Sequence, residues 1–341
     1  MKVSKWLATS LSIVVTAGLL AGCGGTATPT PGTGAGSQPA ATTAAGGGAV
    51  GADTYIPLVS KGFQHQFWQA VKLGAENAGK ELGVQVNFIG PESESQVDKQ
   101  IEMLEAELNK NPDALCFAAL DSKAANPLLE RAKAANIPVI GFDSGVDSDI
   151  PLSTAATDNI AAAGHAAGKM AELIGDSGKV AVVVHDQTSR TGIDRRDGFL
   201  NRMKEGHPNI EIVDVSYGAG DHLKSTDLAK AVIQANPDLK GYFGANEGSA
   251  IGVLNAVKEL GKEGEIVVIG YDSGKQQMDA IRSGVMAGAI TQDPIGIGYK
   301  CVDAAVKALK GEQLPETIDT GFHWYDKSNI DDPTIKALLY E

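Results

Sequence analysis

From residue 54 onward, short apolar runs alternate with stretches in which apolar residues recur every three to four positions. The runs "TYIPLVS" (54–60), "VQVNFI" (84–89), "ALCFAAL" (114–120) and "PVIGF" (138–142) read as strands. Between them, Phe67, Val71, Gly74, Ala78 and Leu82 mark one helical face, Val97, Ile101, Leu104 and Leu108 another, and a third helix spans 124–135. The series restarts with helices over 159–174, 195–205, 225–235, 249–260, 275–283 and 295–309, and strands over 179–185, 210–216, 241–245, 265–271 and 287–291. Continuous apolar strands alternating with helices predict parallel sheets covered on both faces. The number of strands predicts an α/β chain of two doubly wound, Rossmann-like lobes.

Internal echoes support a duplication. "IPVIGFDSGVDSD" (137–149) returns 129 residues later as "IVVIGYDSGKQQM" (266–278), and "NPDALCFAALD" (111–121) is echoed by "NPDLKGYFGAN" (236–246). Two similar lobes would present equivalent strand ends to a shared cleft, where open α/β sheets bind ligands. The residues expected there are "SKGFQHQFW" (60–68), with Phe63, Gln64, His65, Phe67 and Trp68; then Asp121, Phe142-Asp143-Ser144, Asn246-Glu247 and Tyr271-Asp272-Ser273. Trp68 or Phe63 is the stacking candidate, while one of Phe67 and Trp68 serves the core. Arg195 and Arg196 open a helix, one facing either the cleft or solvent. Asp at a strand end is also ordinary helix-capping and turn chemistry.

This set is rich in carboxylates, amides and aromatics and has no nucleophile beside a base, which suits a polyhydroxylated ligand. Enzyme motifs are missing: there is no G-x-S-x-G, H-E-x-x-H or Walker A sequence. "GDSG" (175–178) reads as a helix C-cap turn. The six His lack metal-ligand spacing, so neither metal nor cofactor is expected. His165, His207 and His222 read as face or surface residues.

The N-terminus differs in kind. Lys2 and Lys5 precede an apolar run ending in "LLAGC" (19–23), the pattern of an export signal too short to span a membrane. Residues 24–52 carry no charge and are almost entirely Gly, Ala, Thr, Pro, Ser and Gln, which reads as a flexible linker. The chain has 29 basic against 42 acidic residues, a net charge of −13, which argues against nucleic acid as a partner. Cys116 and Cys301 lie in apolar segments, either as buried thiols or as a pair.

"L-A-G-C" resembles the bacterial lipobox, which implies cleavage after residue 22 and lipidation of Cys23. The chain as a whole resembles the ribose/galactose-type sugar-binding proteins of bacterial ABC importers, the type I periplasmic binding proteins, over essentially all of 53–325. "IPLVSKGFQHQFWQAVKLGAENAGKELG" (56–83), "STAATDNIAAAGHAAGKMA" (153–171), "RTGIDRRDGF" (190–199), "YFGANEGSAIGVLNAVKELGK" (242–262) and "IVVIGYDSGKQQMDAIRSGVMAGAITQDP" (266–294) carry the resemblance. It implies sugar contacts from His65, Phe67, Trp68, Asp143, Arg195, Asn246, Tyr271, Asp272 and Gln292. Where the ribose type has Arg after the first Asp, this chain has Ser144; where it has a second-lobe aromatic, "YGAGDH" (217–222) offers Gly220; and where it has Asn after the third strand, Asp121 is the nearest polar residue.

The resemblance further implies hinge crossings near Thr157, Gln292 and Thr320, with lobes of 53–157 plus 293–319 and 158–292 plus 320–341. It implies a monomer, tethered by residues 23–52 and held to the outer face of the cytoplasmic membrane only by its lipid. A sugar or polyol would bind by hinge closure and pass to an ABC permease with its ATPase. A sensory protein feeding a chemoreceptor or sensor kinase is the alternative.

Overall fold

The computed structural model describes residues 50–340; the expected export signal, Cys23 and nearly all of the expected linker lie outside them. The first lobe is built from β1 (Tyr55–Val59), α1 (Gln66–Leu82), β2 (Gln85–Ile89), α2 (Val97–Leu108), β3 (Leu115–Phe117), α3 (Asn126–Ala134), β4 (Val139–Phe142) and β5 (Ser153–Ala156). The second follows with α4 (Asn159–Ile174), β6 (Gly178–Val184), α5 (Arg190–Gly206), β7 (Ile210–Tyr217), α6 (His222–Ala235), β8 (Leu239–Gly244), α7 (Glu247–Glu259), β9 (Val267–Tyr271), α8 (Lys275–Ser283) and β10 (Gly288–Gln292). The chain then runs through α9 (Pro294–Leu309), β11 (Thr317–Asp319), β12 (Phe322–Asp326) and α10 (Pro333–Lys336).

Each lobe holds a six-stranded sheet, ordered β2-β1-β3-β4-β5-β11 in the first and β7-β6-β8-β9-β10-β12 in the second. Their first five strands have the same order, as the internal echoes predict. All pairings are parallel except β10 with β12. The C-terminal segment gives one strand to each sheet. The chain therefore passes between the sheets three times, after β5, after β10 and between β11 and β12. Thr157 and Thr320 meet at two of these crossings, where the Thr320 N–H donates to Ala156 O at 3.1 Å and the Thr157 hydroxyl to Gly321 O at 3.3 Å.

Apolar residues cover both faces of each sheet. In the first lobe Ile56, Leu58 and Ile140 pack on α1 and α9, while Val59, Leu115 and Val139 pack on α2 and α3. In the second, Val180, Val182 and Phe243 face α4 and α5, and Ala181, Val183 and Tyr242 face α6 and α7. Glycine permits the closest helix contact: a Cβ at Gly74 would sit 2.0 Å from Ile295 O, and one at Gly298 would sit 2.0 Å from Val71 O. Cys116 and Cys301 are both buried and unpaired, with the Cys116 thiol 3.7 Å from Cys301 O.

Several helices start at a side-chain cap. Asp158, Ser189, Asp221, Asn246 and Asp293 accept N–H bonds in the first turns of α4, α5, α6, α7 and α9. Ser189 starts α5 at Arg190, so Arg195 and Arg196 lie in its second turn and do not open the helix. Gly175, in the left-handed region at φ 76°, ends α4, so "GDSG" is the expected C-cap turn.

Candidate functional site

The two echoed tips occupy equivalent places. Asp143 follows β4 and Asp272 follows β9, and both adopt left-handed backbone, at φ 55° and 76°. Asp tolerates this region better than most residues because its short polar side chain bonds locally. Each N–H donates to the neighbouring strand, Asp143 to Ala155 O at 2.9 Å and Asp272 to Ile290 O at 2.6 Å. This sharp turn aims both carboxylates at the space between the lobes.

There they meet a small, tightly closed cavity lined by Lys61, His65, Phe67, Trp68, Glu94 and Asp143 from the first lobe. The second lobe contributes His185, Thr191, Arg195, Asn246, Asp272 and Gln292. Nearly all of these residues follow the carboxyl ends of strands, on the side where the strand order reverses. The aromatic faces come from the first lobe alone. Bonds cross the cleft: Lys61 Nζ donates to Thr191 Oγ1 at 2.9 Å, Asn246 Nδ2 to Glu94 Oε2 at 3.4 Å, and Ser122 N to Thr188 O at 3.0 Å. The described form is thus closed.

Of the sequence-derived candidates, His65, Phe67, Trp68, Asp143, Arg195, Asn246, Asp272 and Gln292 come together on this wall. Others do not. Phe63 packs edge-on against Phe88, with centroids 5.7 Å apart, at the margin of the first core. Gln64 stands at the mouth, accepting from Glu94 N and donating to Gly220 O. Asp121 is spent on its own turn, accepting from Lys123 N and Ala124 N at 2.9 Å. Ser144 is fully buried behind the tip, its N–H turned to Phe142 O. Tyr271 lies under the wall: the Arg195 guanidinium sits 3.8 Å from its ring centroid, and its hydroxyl donates to Asn159 Oδ1.

Lys61 lies in the expected stretch 60–68 without having been singled out, and Glu94, His185 and Thr191 were not among the sequence candidates. Glu94 is held by Trp68 Nε1, which donates to Oε1 at 2.8 Å. It also explains Gly220: a Cβ there would meet Glu94 Oε2 at 2.9 Å, with Gln64 and His65 nearly as close. Outside the cavity His65 stacks on His222, centroids 5.8 Å apart, so His222 belongs to the cleft mouth and not to the free surface.

Electrostatics divides the wall. Arg195 donates to Asn159 Oδ1 at 2.8 Å and Ala245 O at 3.0 Å and approaches Asp272 at 4.0 Å; burial works against its charge, and Tyr271, Asp272 and Asp143 more than offset that. Burial also pushes the Glu94 carboxyl up, but Lys61 above all, with the Trp68 N–H, brings it below the ordinary range. His185 is driven down to about 3 by burial and by Lys61, and is neutral. Asp272 is fully engaged, accepting from Glu247 N at 2.9 Å and Gln292 Nε2 at 2.7 Å. Asp143 is not: among the described residues no protein donor reaches its carboxylate, and burial pushes it up to about 6. Lys61 and Arg195 pull that value down, while Glu94 and Asp272 raise it.

The last shift predicts a pH effect. In the closed form Asp143 stands at about 6 instead of its ordinary 3.8, so if opening returns it to water the protonated form favours closure. That contribution is complete below pH ~4 and is lost as pH rises through about 6, and it amounts to roughly 2–3 kcal/mol. The ligand-free protein should be more compact at pH 5 than at pH 7.5 by small-angle scattering, and Asp143→Asn should remove the difference. An equal response in the variant would assign the effect to other groups.

Comparison with known proteins places this architecture. The model of the periplasmic binding protein domain matches residues 56–313. A D-allose-binding periplasmic protein of Escherichia coli is 29% identical over 267 residues, 76% of this chain and 86% of that protein. An ABC transporter solute-binding protein from Agrobacterium vitis, solved with α-D-tagatopyranose, is 33% identical with a TM-score of 0.82, covering 85% of this chain and 100% of that one. A second from the same organism, solved with D-fucose, is 35% identical with a TM-score of 0.81, covering 84% and 100%. With a family model spanning most of its length and two lobes closing on a strand-end cavity, this chain belongs to the periplasmic binding protein family.

Proposed function

We propose that the protein is the extracytoplasmic solute-binding component of an ABC sugar importer. It captures a neutral monosaccharide or related polyol between its lobes by hinge closure and hands it to the permease. The observation that carries this reading is the charge balance of the cavity. Glu94, Asp143 and Asp272 face Lys61 and Arg195, with Asp143 titrating near neutrality, so an anionic ligand would add an uncompensated charge. Hydroxyl groups can both donate to these carboxylates and accept from the cations, while Phe67 and Trp68 offer flat apolar faces to one side of a ring. The named ligands of the relatives, D-allose, α-D-tagatopyranose and D-fucose, are all of this class.

The lobes that move are taken as 53–157 with 293–319 and 158–292 with 320–341. Export by residues 1–22 and lipidation of Cys23 would tether the protein outside the cytoplasmic membrane, within reach of the permease. Ligand makes contacts with both lobes only when they close, which shifts the open–closed equilibrium.

A thermal-shift screen over neutral pentoses, hexoses, ketohexoses, polyols and the matching uronic acids tests this reading. A neutral sugar at a hundred times its dissociation constant should stabilise the fold by about 2.7 kcal/mol, and its uronate should not. Stabilisation by uronates alone would refute it. Glu94→Gln should weaken the selected sugar by about 10- to 100-fold by calorimetry, the loss of one hydrogen bond to a charged acceptor. Unchanged affinity would confine Glu94 to bracing Trp68.

A further inference from the structure

The closed cleft is fastened by contacts that lie outside the cavity. Helices α1 and α8 both begin at the cleft, and neither receives a side-chain cap from its own N-cap residue, His65 or Gly274. Each takes one from the opposite lobe. The two carboxylate oxygens of Glu247, in the second lobe, accept from Gln66 N and Phe67 N, both at 3.2 Å, at the start of α1. In return the side-chain oxygen of Gln66, in the first lobe, accepts from Lys275 N at 2.7 Å, at the start of α8.

Gly274 makes the exchange possible. A Cβ on it would lie 2.9 Å from the Glu247 carboxyl carbon and 3.0 Å from the Gln66 side-chain oxygen. Glu247 is 4% exposed, and neither it nor Gln66 lines the cavity. Its negative charge lies at the positive end of α1, where an anion is favoured.

We propose that Glu247 and Gln66 are positioning residues that form a reciprocal capping latch across the cleft. The latch sets how much of the closed form is populated and scales affinity for every sugar alike, without choosing among them. This rests on the hinge-closing function proposed above. Opening returns three N–H groups to water and takes the anion away from α1. A cap of ordinary worth changes an equilibrium by about 2- to 30-fold. Where the closed form is the minor one, the observed dissociation constant changes by the same factor.

The test uses the full chain with spin labels at Lys133→Cys and Lys204→Cys, exposed sites on the two lobes. Pulsed EPR reads the inter-lobe distance without ligand, and calorimetry reads D-ribose, D-allose, D-tagatose and D-fucose. Glu247→Ala should move the ligand-free distances toward the open form and raise the dissociation constant of each bound sugar by one common factor, about 2- to 30-fold. Gly274→Ala removes no hydrogen-bonding group and leaves the cavity wall intact, yet should act in the same direction. It also keeps the test alive should Glu247→Ala fold poorly. Distances unchanged in both variants would overturn the latch, as would a loss confined to one sugar, which would make Glu247 a ligand contact. If none of the four sugars binds the unmutated chain, the functional reading is damaged, while the distances still decide the latch.

Discussion

Asp143→Asn should abolish measurable sugar binding and, at pH 7.5, raise the melting temperature of the ligand-free protein. The two effects have one origin. The carboxylate is buried with no protein donor among the described residues, and burial has pushed it up to about 6, so its charge is carried at a cost without ligand bound. Asn has nearly the same shape and tolerates the left-handed backbone at φ 55°. It removes the charge while leaving Glu94 and Asp272 to balance Lys61 and Arg195. The stability gain is of the order of 2–3 kcal/mol, worth several degrees in a chain of this size. The binding loss follows from two charged acceptor sites, about 3–6 kcal/mol or on the order of 10²- to 10⁴-fold. Calorimetry and thermal melts read both, and near-normal affinity would return Asp143 to a turn residue. Asp272 offers no comparably clean substitution, because removing its carboxylate also strands Glu247 N and Gln292 Nε2.

Arg195→Met should act in the opposite direction on stability, losing both the ligand and part of the fold. Arg195 is buried, lies flat on Tyr271, and bonds Asn159 and Ala245 O with different nitrogens. Met fills similar space but leaves Ala245 O unpaired, Asp272 without the cation 4.0 Å away, and Asp143 with Lys61 alone. Breaking a buried ion pair by removing one partner costs about 3–5 kcal/mol. The melting temperature should therefore drop by roughly 5–8 °C, with no detectable sugar binding. Arg195→Lys should recover only a small part of either loss, since an ammonium cannot both stack on the ring and bond in two directions. A melting curve for Arg195→Met that overlays the unmutated protein would show that the guanidinium is not part of the framework.

The α/β order of the two lobes was legible because buried parallel strands leave continuous apolar runs, and the duplication supplied a second copy of each signal. The elements without a trace were those lacking that pattern. β5 is "STAA", paired in the sheet but made of small residues, and β11 and β12 are short edge strands after α9. In the cleft, the rule that ligands meet strand ends located Asp143, Asn246 and Asp272, while Gln292 came from the family resemblance alone. Applied one strand further it would have found His185, which ends β6 as Ser60 ends β1. Glu94 was not legible: "GPESES" (90–95) reads as a solvated loop, and it is the distant Trp68 and Asn246 N–H groups that turn its carboxylate inward. Asp121 shows the converse. Its strand-end position was right, but its carboxylate closes a local turn.

The same strand-end logic treated Phe142-Asp143-Ser144 and Tyr271-Asp272-Ser273 as equal partners. Their backbones are alike, but their chemistry is not. Asp272 is wired into the second lobe by Gln292 and α7, while Asp143 stands without a donor and faces the cavity. Such a division fits a clamp in which one jaw is prepared in advance and the other is completed by ligand.

Small-angle scattering of the full chain, with and without the neutral monosaccharide selected by the thermal-shift screen, tests the central claim most directly. A saturating sugar should lower the radius of gyration of the unmutated protein at pH 7.5 and leave that of Asp143→Asn unchanged. A sugar that binds without changing the radius of gyration would contradict capture by hinge closure.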